Sequence, residues 1–165
     1  MANSPSTSHS ITSPNSSEPI TVKSSTCKSL SGKSDLTYHI ACDSDNEIYF
    51  RIADNSGNGF FSCEWVKLSD IEAVFDSMKK GEGITSFHLD SLFIGKSVNT
   101  PAFLLAVLKA EGLIKPQPLR QRAHDRLPSK DFQERIFALV DADVNIDAVK
   151  KSSKNSSKST RQPKS

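Results

Sequence analysis

The chain has 165 residues, 36% of them hydrophobic, and its 21 Lys and Arg against 19 Asp and Glu leave a formal net charge of +2. That length suits one domain with tails, the apolar fraction lies below the globular norm, and so small a net charge names no partner by itself. Three widely spaced cysteines, Cys27, Cys42 and Cys63, fit neither a disulfide framework nor a CxxC metal knuckle and read as reduced thiols.

Residues 1–34 are mostly Ser, Thr, Pro, Asn and Lys, too poor in large apolar side chains to offset the entropy of ordering, and they read as a disordered arm. No basic start followed by an apolar run lies near Met1, and nowhere do about eighteen apolar residues run together, so the expectation is a cytoplasmic protein without a membrane helix. A single α+β domain is expected over 35–148. Within 35–66, Leu36, Tyr38, Ile40 and Cys42 alternate with polar residues, as do Ile48, Phe50 and Ile52. The pattern predicts a hairpin turning at 43–47, with 60–66 as a candidate third strand after the turn-forming run 54–59. The segment 69–80 reads as a helix: Ser69 and Glu72 form a capping box, Ile71, Val74, Phe75 and Met78 follow at helical spacing, and Lys79 and Lys80 suit the last turn before Gly81.

A shorter helical piece is expected over 86–93, with Phe87, Leu89, Leu92 and Phe93 on its apolar side. Thr100 as N-cap and Pro101 at the first helical position open the next helix, apolar almost all round, which Gly112 ends. Residues 115–128 are basic and proline-rich, and 129–140 reads as a last helix with Phe132, Ile136, Phe137 and Val140 on one side. A Ser-rich tail over 149–165 carries Lys150, Lys151, Lys154, Lys158 and Arg161 with no acidic residue, either a solubilising extension or a phosphate-binding arm.

Motifs for chemistry fall short. Gly95-Lys96-Ser97 resembles the close of a phosphate loop, but Asp90 stands five positions before Gly95, where the tight curl requires glycine; Gly32-Lys33-Ser34 has Cys27 there. The acidic runs 43–47 and 141–147 lack the glycine and bidentate glutamate of a calcium loop and read as solvated turns. His9, His39, His88 and His124 show no zinc spacing, and no signature of an activated nucleophile surrounds Cys63. No catalytic residue, metal or cofactor is assigned, and the chain reads as non-enzymatic. Phe60, Phe61 and Trp65 form the densest aromatic group, either core packing between hairpin and helix or a surface for a protein partner.

Residues 84–114 resemble the helix-turn-helix portion of winged-helix regulators. Phe87, Leu89 and Leu92 pattern a second helix, Gly95 and the polar run 97–100 make the turn, and Leu108, Gly112, Leu113 and Ile114 close a third helix leading into the wing. The resemblance implies that 69–80 is the first helix, that 115–126 lies at the wing, and that the protein is regulatory or nucleic-acid-associated. The front of the third helix, Pro101, Ala102, Phe103 and Leu104, offers no donor to a base edge. Binding is therefore expected to be largely nonspecific, through Lys109, Lys115, Arg120, Arg122, Arg126 and the basic tail, with a protein-interaction module as the alternative. Nothing in the chain fixes the oligomeric state.

Overall fold

The computed structural model describes residues 18–95 and 97–153, of which 144–153 by backbone alone. The fold is α+β. Four antiparallel strands, β1 (Ile20–Lys28), β2 (Asp35–Cys42), β3 (Ile48–Asn55) and β4 (Val66–Lys67), form one sheet in the order β1-β2-β3-β4. The expected hairpin is β2 and β3, paired from Cys42 opposite Ile48 to Leu36 opposite Asn55. Its turn is built by Asp43, whose Oδ1 accepts the backbone N–H of Asp45 at 2.9 Å and of Glu47 at 3.0 Å.

The strand β1 corrects the expectation of disorder over 1–34 for Ile20–Lys28, while 1–17 lie outside the described residues. No residue in the strand is fully buried, which is why its composition looks unfoldable. Ile20, Thr21, Val22 and Thr26 are nonetheless β-branched, the backbone ladder to β2 pairs one edge of the strand, and Val22 and Cys27 pack against the core. The candidate third strand over 60–66 shrinks to the two residues of β4. The chain before it stays irregular because it docks instead on the residues that precede the helix over 100–110: Ser97 Oγ and Asn99 Nδ2 donate to the Phe60 carbonyl at 2.5 and 3.0 Å.

The helix α1 (Leu68–Ser77) starts directly from β4 with Lys67 as N-cap, and the Ser69–Glu72 capping box does not form. The Ser69 N–H donates to Glu47 Oε1 at 3.2 Å, so a carboxylate from the hairpin turn serves the positive helix end. Because α1 stops at Ser77, Lys79 and Lys80 lie beyond it. A 3₁₀ helix, Ser86–Phe93, follows, and it buries Leu89 and Phe93 but leaves Phe87 78% exposed, against the expected apolar side.

The helix α2 (Thr100–Ala110) takes Asn99 as N-cap instead of Thr100, which lies inside it with its hydroxyl accepting the Ser62 N–H at 2.8 Å. Its end is as expected: Gly112 adopts φ +78°, Leu113 N–H bonds the Leu108 carbonyl at 2.9 Å and Gly112 N–H that of Lys109 at 3.2 Å, a paired closure that a Cβ would strain. The basic stretch 115–128 is a hairpin, β5 (Ile114–Gln117) and β6 (Arg120–Arg126), and the helix α3 (Lys130–Ser153) runs well past 140. The acidic run 141–147 is therefore helical rather than a turn.

The core lies between the inner face of the sheet and the helices. Tyr38, Ile40, Phe50 and Ile52 meet Ile71 and Phe75 of α1, Leu104 and Leu108 of α2, and Phe132 and Ile136 of α3. The Phe50 and Phe132 rings stack at 5.6 Å between centroids. Burying each such ring contributes about 1.5–3 kcal/mol. No helix among the described residues is long and apolar enough to cross a membrane.

Candidate functional site

The hairpin β5–β6 is placed by a close approach. Ile84 and His124 exchange backbone bonds, Ile84 N–H to His124 O at 2.8 Å and His124 N–H to Ile84 O at 2.9 Å. The neighbouring Gly83 is buried, and a Cβ there would lie 2.5 Å from the Ala123 Cβ. Only glycine lets the two backbones meet, and that meeting carries β6 alongside the 3₁₀ helix and α2.

Between these elements runs a groove of about 600 Å³, whose lining includes Phe87, Leu105, Lys109, Gln121, Arg122 and His124. Leu30, from the turn between β1 and β2, closes one side. An adjoining depression shares Arg122 and Gln121 and adds Arg120, Glu82 and His88. His124 is buried, and its Nδ1–H donates to the Ile84 carbonyl at 3.3 Å. Burial, and then the nearby charge of Lys109, hold its imidazole below the ordinary value while the Ile84 carbonyl pulls the other way. The groove floor is thus uncharged near neutrality. His88 is held differently: its Nδ1 accepts the Thr85 N–H at 3.1 Å and its Nε2–H donates to Glu82 at 3.2 Å.

The expected basic residues divide. Lys109, Lys115, Arg120 and Arg122 are exposed and form no ion pair among the described residues. Arg126 stands apart. Its guanidinium is paired with Asp76, lies 3.7 Å from Glu72 and sits over the Phe75 ring at 5.8 Å, so it links β6 to α1. Lys150 and Lys151 fall in the last turns of α3, and Lys154, Lys158 and Arg161 lie outside the described residues.

The aromatic group also divides. Phe60 is 87% exposed, Phe61 packs partly on the core, and Trp65 is half-buried with the Arg51 guanidinium 4.4 Å over its ring and Tyr49 meeting it edge-on. Cys63 is exposed, and the side-chain bonds of His39 and His88 go elsewhere: His39 Nδ1 accepts from Arg51 Nε at 3.3 Å, and His88 is held as above. The Gly95-Lys96-Ser97 turn has its Ser97 hydroxyl committed to Phe60.

Of the groove's lining the sequence reading names only Lys109 and Arg122 as site residues; Leu30, Phe87, Leu105, Pro116, Gln121 and His124 are among those it misses in that role. For Gln121 and His124 no periodic signal exists, since Arg-Gln-Arg-Ala-His-Asp-Arg does not alternate and its two buried residues, Ala123 and His124, are adjacent. Compared with known families, with characterised proteins and with solved structures, the chain matches none.

Proposed function

We propose that the protein is a non-enzymatic, nucleic-acid-associated protein that holds the phosphate backbone with the hairpin β5–β6 and the end of α2. The observation that carries this is a set of exposed cations that form no ion pair among the described residues: Lys109 and Arg122 line the groove, Arg120 joins Arg122 in the adjoining depression, and Lys115 lies on the neighbouring strand β5, while Arg126 is paired with Asp76. Phosphates are the ligand such a set suits, since each neutralised phosphate releases a condensed counterion. The order of elements also supports the reading: a first helix, a short bridge at Ile84, two further helices and a hairpin follow one another as a winged-helix scaffold would have them. Base reading by the helix in the recognition position is not part of it. All of α2 is buried or half-buried except Lys109 and Ala110, with the 3₁₀ helix, β1, β3 and β5 packed around it. No face of α2 is free to enter a major groove.

Fluorescence anisotropy of labelled oligonucleotides, duplex and single-stranded, at about 50 and about 200 mM salt tests the proposal. Four phosphate contacts predict a log–log salt slope of about −3.6 for the duplex and about −2.8 for the single strand. The double variant Arg120→Glu, Arg122→Glu is expected to bind at least about tenfold more weakly and with a shallower slope. Absence of binding to either oligonucleotide at low salt, or binding indifferent to the double variant, overturns it.

A further inference from the structure

We infer that the groove between the 3₁₀ helix, α2 and β6 takes an unpaired nucleotide of a single strand, with its base against Phe87 and its flanking phosphates on Lys109 and Arg122. The inference rests on the nucleic-acid reading above and specifies which form of nucleic acid the site accepts.

Phe87 is the first argument. The other phenylalanine of its helix, Phe93, is buried with Leu89, whereas the Phe87 ring is 78% exposed at the rim of the groove. An exposed aromatic face beside two unpaired cations is the arrangement on which single strands stack, because every base offers a π face and every linkage a phosphate. The second argument is the lining. Leu30, Leu105 and Pro116 make much of it apolar, and the His124 floor is neutral. A site for phosphate alone would gain nothing from that surface, while a flat heteroaromatic ring would. Gln121 adds an amide that both donates and accepts, which meets the edge of any base.

Size and geometry exclude the duplex from this site. About 600 Å³ is room for one small ligand, within the range of about 300–1,000 Å³ usual for such pockets. The bases of a duplex are stacked on one another and cannot reach Phe87. An acidic peptide would satisfy Lys109 and Arg122 by charge, but it leaves the exposed ring without a planar partner.

The test compares an oligothymidylate of about twelve nucleotides with a duplex of the same length, using wild type and Phe87→Ala. Phe87 is exposed, so its truncation is expected to leave the melting temperature unchanged, and a thermal melt verifies this. The single strand is expected to bind more tightly than the duplex. Phe87→Ala is expected to weaken the single strand on the order of tenfold while leaving the salt slope and duplex binding unchanged. If Phe87→Ala changes neither, or both alike, the groove inference fails while the phosphate reading stands on the Arg120 and Arg122 variant. If neither oligonucleotide binds, both fail. A polyglutamate peptide that competes as well as the oligothymidylate also overturns the inference, since charge alone would then account for binding.

Discussion

Glu111 follows α2 directly and is only 5% exposed, yet it is a carboxylate. It is tolerated there because Tyr38 Oη donates to its Oε1 at 2.5 Å and the Lys23 ammonium lies 2.6 Å from the same atom. Its backbone carbonyl accepts from Arg135 Nη2 at 2.8 Å, so one residue ties β1, β2 and α3 to the end of α2. Removing the carboxylate strands a buried hydroxyl and a half-covered cation. Glu111→Ala is therefore expected to cost about 3 kcal/mol, and Tyr38→Phe, which loses one hydrogen bond, about 1 kcal/mol. Urea denaturation at constant slope measures both, and equal, small losses would show that the group does not join these elements. The same pairing matters to the groove: Glu111 is engaged by Lys23 and does not neutralise Lys109 two positions earlier.

At the scale of elements, the hairpin β5–β6 depends on Gly83. Gly83→Ala brings a methyl 2.5 Å from the Ala123 Cβ and 2.9 Å from Gln117 Oε1, so β6 must shift or the segment before the 3₁₀ helix must bend. The expected cost is about 1–3 kcal/mol, read as a lowered melting temperature. An unchanged melt would mean that the two backbones are not held together. Elements whose own residues supply the signal were legible in sequence. The alternation of β2 and β3 marks the core face, and Pro101 and Gly112 punctuate α2. Elements held by residues remote in sequence were not. The strand β1 buries nothing completely and is ordered by its ladder to β2, and α1 is capped by Glu47 from another turn rather than by its own Ser69. The hairpin β5–β6 hid under charge for the same reason that it is of functional interest.

Across the molecule, titratable groups frame a window of stability. Burial holds the thiols of Cys27 and Cys42 and the phenol of Tyr38 above their ordinary values, and pushes Tyr49, aided by its bond to Asp43, up to about 12. Each is neutral in the fold. Their contribution is complete below the ordinary values of 9.0 and 10.0 and is lost as pH rises above them. His39, held down by burial and by Arg51, and His124 act in reverse: their contribution is complete above 6.5 and is lost as pH falls. Denaturation midpoints followed across pH are expected to be greatest between 6.5 and 9.0, and a midpoint still rising beyond 10.0 would contradict this. The site was half legible at this scale. The cations could be named from sequence, but which of them stand free depends on partners such as Asp76 that only the fold brings near. The stacking of Phe132 on Phe50 carries a last consequence. When the chain has emerged from a ribosome only through Pro128, the described strands and both earlier α-helices are out, yet the ring that lies on Phe50 is still withheld. α1 and α2 can already cover their part of the sheet's inner face, but the part about Phe50 waits for the beginning of α3, and vectorial synthesis leaves it open to association with other nascent chains until that helix closes it.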